Sequence, residues 1–278
     1  MPIDIGAGEL MLLAGALLAA GLLTGFMSGL LGIGGGGILV PVLFEAFGAI
    51  GVDPEIRMHM ALGTSLAVII PTSLRSFYAH RAKGAVDTKL LWRLGPTLVL
   101  GVILGTVFAG IVTSDELKWI WVIFGGLLAL KLALGRDDWR LGDDMPKPPW
   151  VEVYGLFAGF VSVLMSIAGA SFLVAYMTLY NRPLIQAVAT SAGLGPLVSI
   201  PGVIGFIIAG WGNPLTPEFS LGFVNLLGAA IIIPTSVFAA PLGVRLAHGM
   251  PKRRLELAFA AFMAVAATRF ALSLAGIG

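Results

Sequence analysis

The stretch GLLTGFMSGLLGIGGGG at residues 21–37 returns, altered, as GLFAGFVSVLMSIAGAS at 155–171, displaced by 134 residues. A second pair follows in the same order: ALGTSLAVIIPTS at 61–73 and AVATSAGLGPLVS at 187–199, displaced by 126. The pairs lay Ser28 on Ser162, Ser65 on Ser191 and Ser73 on Ser199. Two blocks in one order define an internal repeat, which sets the fold before any single helix is read. Five apolar segments fill each copy: 10–31, 38–48, 58–80, 90–112 and 117–134, then 151–168, 171–181, 184–210, 220–247 and 255–275. Between them, GRDDWRLGDDMPKPPW at 135–150 has the charges and prolines of a linker. The expected fold is an all-α membrane protein of about ten segments, with repeats at 1–134 and 151–278.

Composition agrees. The chain is 58% hydrophobic and 12% charged with a mean hydropathy of +0.96, whereas soluble domains carry roughly a quarter charged residues. Several segments reach the roughly 20 apolar residues that cross a bilayer. The absence of cysteine excludes disulfides, thiolate metal sites and cysteine catalysis. His59, His80 and His248 have no metal-ligand spacing. A net charge of +2, with the basic residues in short clusters, gives no nucleic-acid surface. The first ten residues hold Asp4 and Glu9 and no basic residue, so the first segment reads as an uncleaved membrane helix.

An odd number of crossings per copy turns the second copy over. With Arg81, Lys83 and Lys89 in the cytoplasm, the linker, Arg182 and the Lys252-Arg253-Arg254 cluster fall inside too. Fourteen of the 17 Lys and Arg then lie on or near the inner side, leaving Arg57, Lys118 and Arg269 outside with both termini. Segments 38–48 and 171–181 make roughly 16 Å of helix, half the hydrocarbon thickness. They either re-enter or cross with the help of their flanks.

Short, glycine-broken segments at matching places in two inverted halves point to a transporter's binding site. GIGGGG at 32–37 and SIAGAS at 166–171 open the two short segments. Uncovered amides at a helix start, with the positive end of the peptide dipoles, hold an anion without a lysine. The candidate substrate-binding residues are Gly34, Gly35, Gly36, Gly37, Gly169 and the hydroxyls of Ser28, Thr64, Ser65, Ser162, Ser166, Ser171, Thr190 and Ser191. Arg75, about five residues inside its segment, is a candidate cationic partner or a snorkelling residue. Valine at Gly35 or Gly169 is expected to lower transport with stability retained. Gly21-x-x-x-Gly25, Gly101-x-x-x-Gly105 and Gly155-x-x-x-Gly159 read as helix-packing motifs.

The block SGLLGIGGGGILVP at 28–41, Gly63-Thr64-Ser65-Leu66, HRAKGAVD at 80–87 and the echo Ala189-Thr190-Ser191 resemble the sulfite exporter (TauE/SafE) family of anion permeases. The resemblance implies export of sulfite, sulfoacetate or related organosulfonates across a bacterial inner membrane. Expected partners are a small anion and membrane lipid, with a coupling proton or sodium ion and a homodimer also compatible. Nothing calls for a cofactor or metal. A passive anion channel is the alternative. An enzyme is not expected, because the sequence has no His-Glu-x-x-His, paired intramembrane Asp, or Ser with a base.

Overall fold

The computed structural model describes residues 7–31, 35–135, 141–146, 148–167, 170–246 and 252–276. Among these stand ten helices: α1 (Ala7–Leu31), α2 (Gly36–Ala49), α3 (Pro54–Arg81), α4 (Thr88–Ala109), α5 (Ser114–Leu134), α6 (Trp150–Met165), α7 (Ala170–Leu179), α8 (Leu184–Ala209), α9 (Leu226–Leu246) and α10 (Lys252–Leu274). Seven are long and apolar enough to cross a membrane, while α2, α6 and α7 are shorter, at 14, 16 and 10 residues.

The helices start where local chemistry dictates. The Asp53 carboxylate accepts the Glu55 N–H ahead of Pro54, which needs no hydrogen-bond partner at a first-turn position. Thr113 and Glu116 close a reciprocal capping box on α5. One boundary departs from the expected 220–247 segment. Ser220–Leu221 (β1) and Val224–Asn225 (β2) form a hairpin, with Ser220 paired to Asn225, and α9 begins only at Leu226. Gly222, at φ 55°, makes the turn, and the Asn225 side chain accepts the Gly228 N–H at 2.7 Å to start the helix.

α3 is the central helix. Two-thirds of its apolar stretch (67%) is buried, against 33–44% for the other six long helices. It packs on α8 and α9, and α8 and α4 pack together. Outside them, α1 lies on α9, α4 on α6 and α5 on α10, while α2 leans on α3 and α7 on α8. Exchanging each helix of the first five with its counterpart in the second five reproduces this pattern. The expected packing glycines make the close approaches. A Cβ at Gly25 would fall on the Ser236 carbonyl of α9, and one at the equivalent Gly159 would fall on the Leu98 carbonyl of α4. Leu100, Ile103, Leu104 and Val107 of α4 face outward and exposed, as does Ile123-x-x-x-Leu127 of α5, the outward apolar surface of a helix bathed in lipid.

Candidate functional site at the start of α2

α2 opens at Gly35, whose φ of 75° is left-handed. A Cβ there would fall on the Thr24 side chain and lie 2.8 Å from the Thr24 carbonyl oxygen. No side chain caps this helix. The Ile38 N–H bonds back to the Gly35 carbonyl at 3.1 Å, and the N–H groups of Gly36 and Gly37, without a partner among the described residues, are left at the positive end of the dipole. α6 stops at Ser166, which adopts a left-handed φ of 51° without being glycine. There Ile167 N–H turns back to the Ser162 carbonyl at 2.9 Å. These two ends meet. A Cβ on Gly36 would fall on the Ser166 carbonyl oxygen and lie 3.1 Å from Ile69 Cδ1 of α3, and one on Gly37 would press on Met263 and Phe259 of α10. The fold therefore brings the first glycine tract against the turn that opens the second.

This geometry corrects one expectation. Valine at Gly35 has no room and an unfavourable backbone, so it perturbs packing as well as any site. Gly34 and Gly169 lie outside the described residues, as does the side chain of Ser171.

Four hydroxyls lie at the junction or one helical turn from it: Thr24, Ser65, Ser162 and Ser166. All are fully buried, and none has a hydrogen-bond partner among the described residues. Gly35 rests on Thr24, and Gly36 on the Ser166 turn. Ser162 stands one turn before Ser166, and Ser65 one turn before Ile69. An unpaired buried polar group costs about 1–3 kcal/mol, and buried side-chain polar atoms are mostly paired, so four together require a reason. Thr24 was missed in the sequence. Its signal was its place one turn before Ser28 on the same helical face.

Three of the other expected hydroxyls are employed elsewhere. Thr64 Oγ1 accepts the Asn225 N–H at 2.9 Å, and Thr190 Oγ1 accepts the Asp87 N–H at 2.9 Å. Asp87 in turn accepts the Leu90 N–H at 3.0 Å, as Asn225 accepts that of Gly228. Each threonine thus ties a central helix of one half to the first turn of α4 or α9 in the other. Ser191 donates to the Val188 carbonyl at 2.8 Å. Ser28 is buried, and its carbonyl accepts from Ser76 at 3.5 Å.

The cations stand away from the junction. Arg75 is on an exposed part of α3 and has no ion pair among the described residues. Arg57 and Lys118 lie 5.5 and 5.4 Å from the Phe44 ring, and Arg269 pairs with Glu45 at 3.0 Å. All three gather at the C-terminal half of α2, where positive charge complements the helix dipole.

With this geometry established, similarity to known proteins can be placed. The sulfite exporter TauE/SafE family model matches residues 17–270. The chain belongs to the sulfite exporter TauE/SafE family. A probable membrane transporter protein of Haemophilus influenzae is 33% identical over 250 residues, covering 90% of this chain and 95% of the relative. One from Methanocaldococcus jannaschii is 26% identical over 258 residues, covering 92% and 95%. YunE of Bacillus subtilis, another probable membrane transporter protein, is 28% identical over 264 residues, covering 87% and 91%. No solved structure matches the chain. The family and these relatives make it a multi-pass membrane transporter.

Proposed function

We propose that this TauE/SafE protein is a secondary transporter of a bacterial cytoplasmic membrane, not an enzyme. It exports small sulfur-containing anions such as sulfite, sulfoacetate or a related organosulfonate by alternating access. The anion is held where α2 begins, with α7 supplying the matching half of the site. The observation that carries this reading is the junction itself: a helix start with no side-chain cap, beside four buried hydroxyls that have no partner among the described residues. Oxyanions accept several hydrogen bonds at once, and neutral donors with a helix dipole bind them without a buried cation. The exchange of packing partners between halves supports two five-helix units, 1–134 and 151–278, in opposite membrane orientation. So does the gathering of Arg57, Lys118 and Arg269 at one end, since these are the three cations that the charge distribution leaves outside.

The test is flux in proteoliposomes. Radiolabelled sulfite should show saturable counterflow, competed by organosulfonates more strongly than by carboxylates of the same size. Flux should also follow an imposed proton or sodium gradient with fixed stoichiometry. Flux linear in concentration and indifferent to both gradients would favour the passive channel.

A further inference from the structure

A cleft of about 630 Å³ opens on the outer surface between the facing ends of α3 and α4, with α8 as its floor. α3 and α4 each pack on α8 there. Its depth follows from the chemistry of its walls. Gly95 and Pro96 of α4, with Gly193 and Pro196 of α8, present little side-chain bulk, and Leu74 and Val99 line its apolar sides. From Thr88 at the mouth to Val99 at the far end, α4 rises about 16 Å, the depth of one leaflet's hydrocarbon.

All the polar lining lies at one end. Tyr78, Arg81, Thr88 and Trp92 stand at the mouth, with Tyr78 59% and Trp92 80% exposed. Tyrosine and tryptophan at a helix end mark headgroup depth in a membrane. Arg81 is exposed and has no ion pair among the described residues. Lys89 is exposed nearby, and Asp87, the one carboxylate in the 80–93 stretch, is turned into the first turn of α4 by its bond from Leu90 N–H. The mouth is therefore positive.

The internal repeat supplies a control. Displacements of 126 residues for α3 onto α8 and 138 for α4 onto α9 carry Tyr78 to Ile204, Arg81 to Ile207 and Trp92 to Ala230. The counterpart positions are wholly apolar. Packing alone would ask the same of both halves, so this trio serves something present only at the positively charged side.

We propose that the cleft holds an acyl chain of an anionic phospholipid from the cytoplasmic leaflet, with its phosphate at Arg81 and its headgroup under Tyr78 and Trp92. The apolar walls accept any chain of that length. The cations select for net negative charge, each contributing roughly fivefold in affinity at a membrane surface.

Titration of the detergent-purified full chain with phosphatidylglycerol or phosphatidylcholine, followed by native mass spectrometry, tests the proposal. The wild type should hold one phosphatidylglycerol per chain at least about fivefold more tightly than phosphatidylcholine. Arg81→Ala should reduce that preference by about fivefold. Gly95→Phe should weaken both lipids by filling the cleft; its first carbon has room, 3.5 Å from Leu197 Cδ1. Glycerol 3-phosphate should not compete. Equal binding of the two lipids by wild type, a preference undiminished in Arg81→Ala, or competition by glycerol 3-phosphate would overturn the proposal. So would unaltered lipid binding by a folded Gly95→Phe, or a lipid-free dimer closing the cleft. Arg81 is on the surface, so its variant remains informative even if Gly95→Phe does not fold.

Discussion

Thr64-Ser65 in α3 and Thr190-Ser191 in α8 are the same dipeptide at equivalent places, yet their two residues behave differently. The threonines are alike: each accepts a backbone N–H from the opposite half at 2.9 Å. The serines diverge, because Ser191 bonds its own helix at Val188 while Ser65 is buried without a partner among the described residues. The tracts diverge as well, GIGGGG against SIAGAS. The two halves therefore agree where helices must be held and differ around the junction at Gly36. The threonine contacts between helices are repeated, and the serine without a partner among the described residues is not.

The comparison breaks most visibly at Gly36. Its counterpart by sequence is Ala170, which already carries a methyl group. Gly36→Ala drives that methyl into the Ser166 carbonyl, and a loss of about 3 kcal/mol or more is expected, read as lost monodisperse protein and a lower Tm. Ala170→Gly should lose no more than about 1 kcal/mol. Equal tolerance at both positions would remove the contact between tracts from this account.

Thr64→Val and Thr190→Val come next. Each leaves a backbone N–H without its acceptor, with an expected loss of about 1–3 kcal/mol in thermal unfolding and little difference between the two. Thr→Ser at either site should restore most of it. A loss confined to one of them would sharpen the comparison, making the lock a property of one half.

Arg75→Ala should have the smallest effect. An exposed guanidinium away from the hydroxyls acts on the local concentration of anions, so apparent affinity should fall by about fivefold at low salt and recover toward wild type as salt rises. A salt-independent loss, partly rescued by Arg75→Lys, would instead make Arg75 a direct partner of the anion.

Much of this was legible in the residues. The ten helices and the packing glycines follow from spacing and residue size, which the sequence states directly. The hairpin before α9 was not legible, because the apolar Leu221, Phe223 and Val224 run on into the apolar helix, and only the turn at Gly222 and the cap at Asn225 mark it. The division of labour within Thr-Ser was hidden for another reason. A hydroxyl can lock a helix or face a ligand with equal ease, and the deciding partner, Asn225 or Asp87, is more than a hundred residues away in sequence. Thr24 escaped for the same reason, since Gly35 approaches it only in the folded chain.

The central claim is that the unpaired hydroxyls beside α2 are reserved for an anion. Ser65→Ala tests it most directly when sulfite affinity and Tm are measured on the same preparation. Removing a buried hydroxyl that has no partner among the described residues should leave Tm unchanged or raise it. Removing a donor to a charged ligand should weaken binding by about 10- to 150-fold, equivalent to roughly 1.5–3 kcal/mol. The account predicts both outcomes together: weaker sulfite binding with Tm held or raised. Unchanged affinity, or weaker binding accompanied by a fall in Tm, would contradict it.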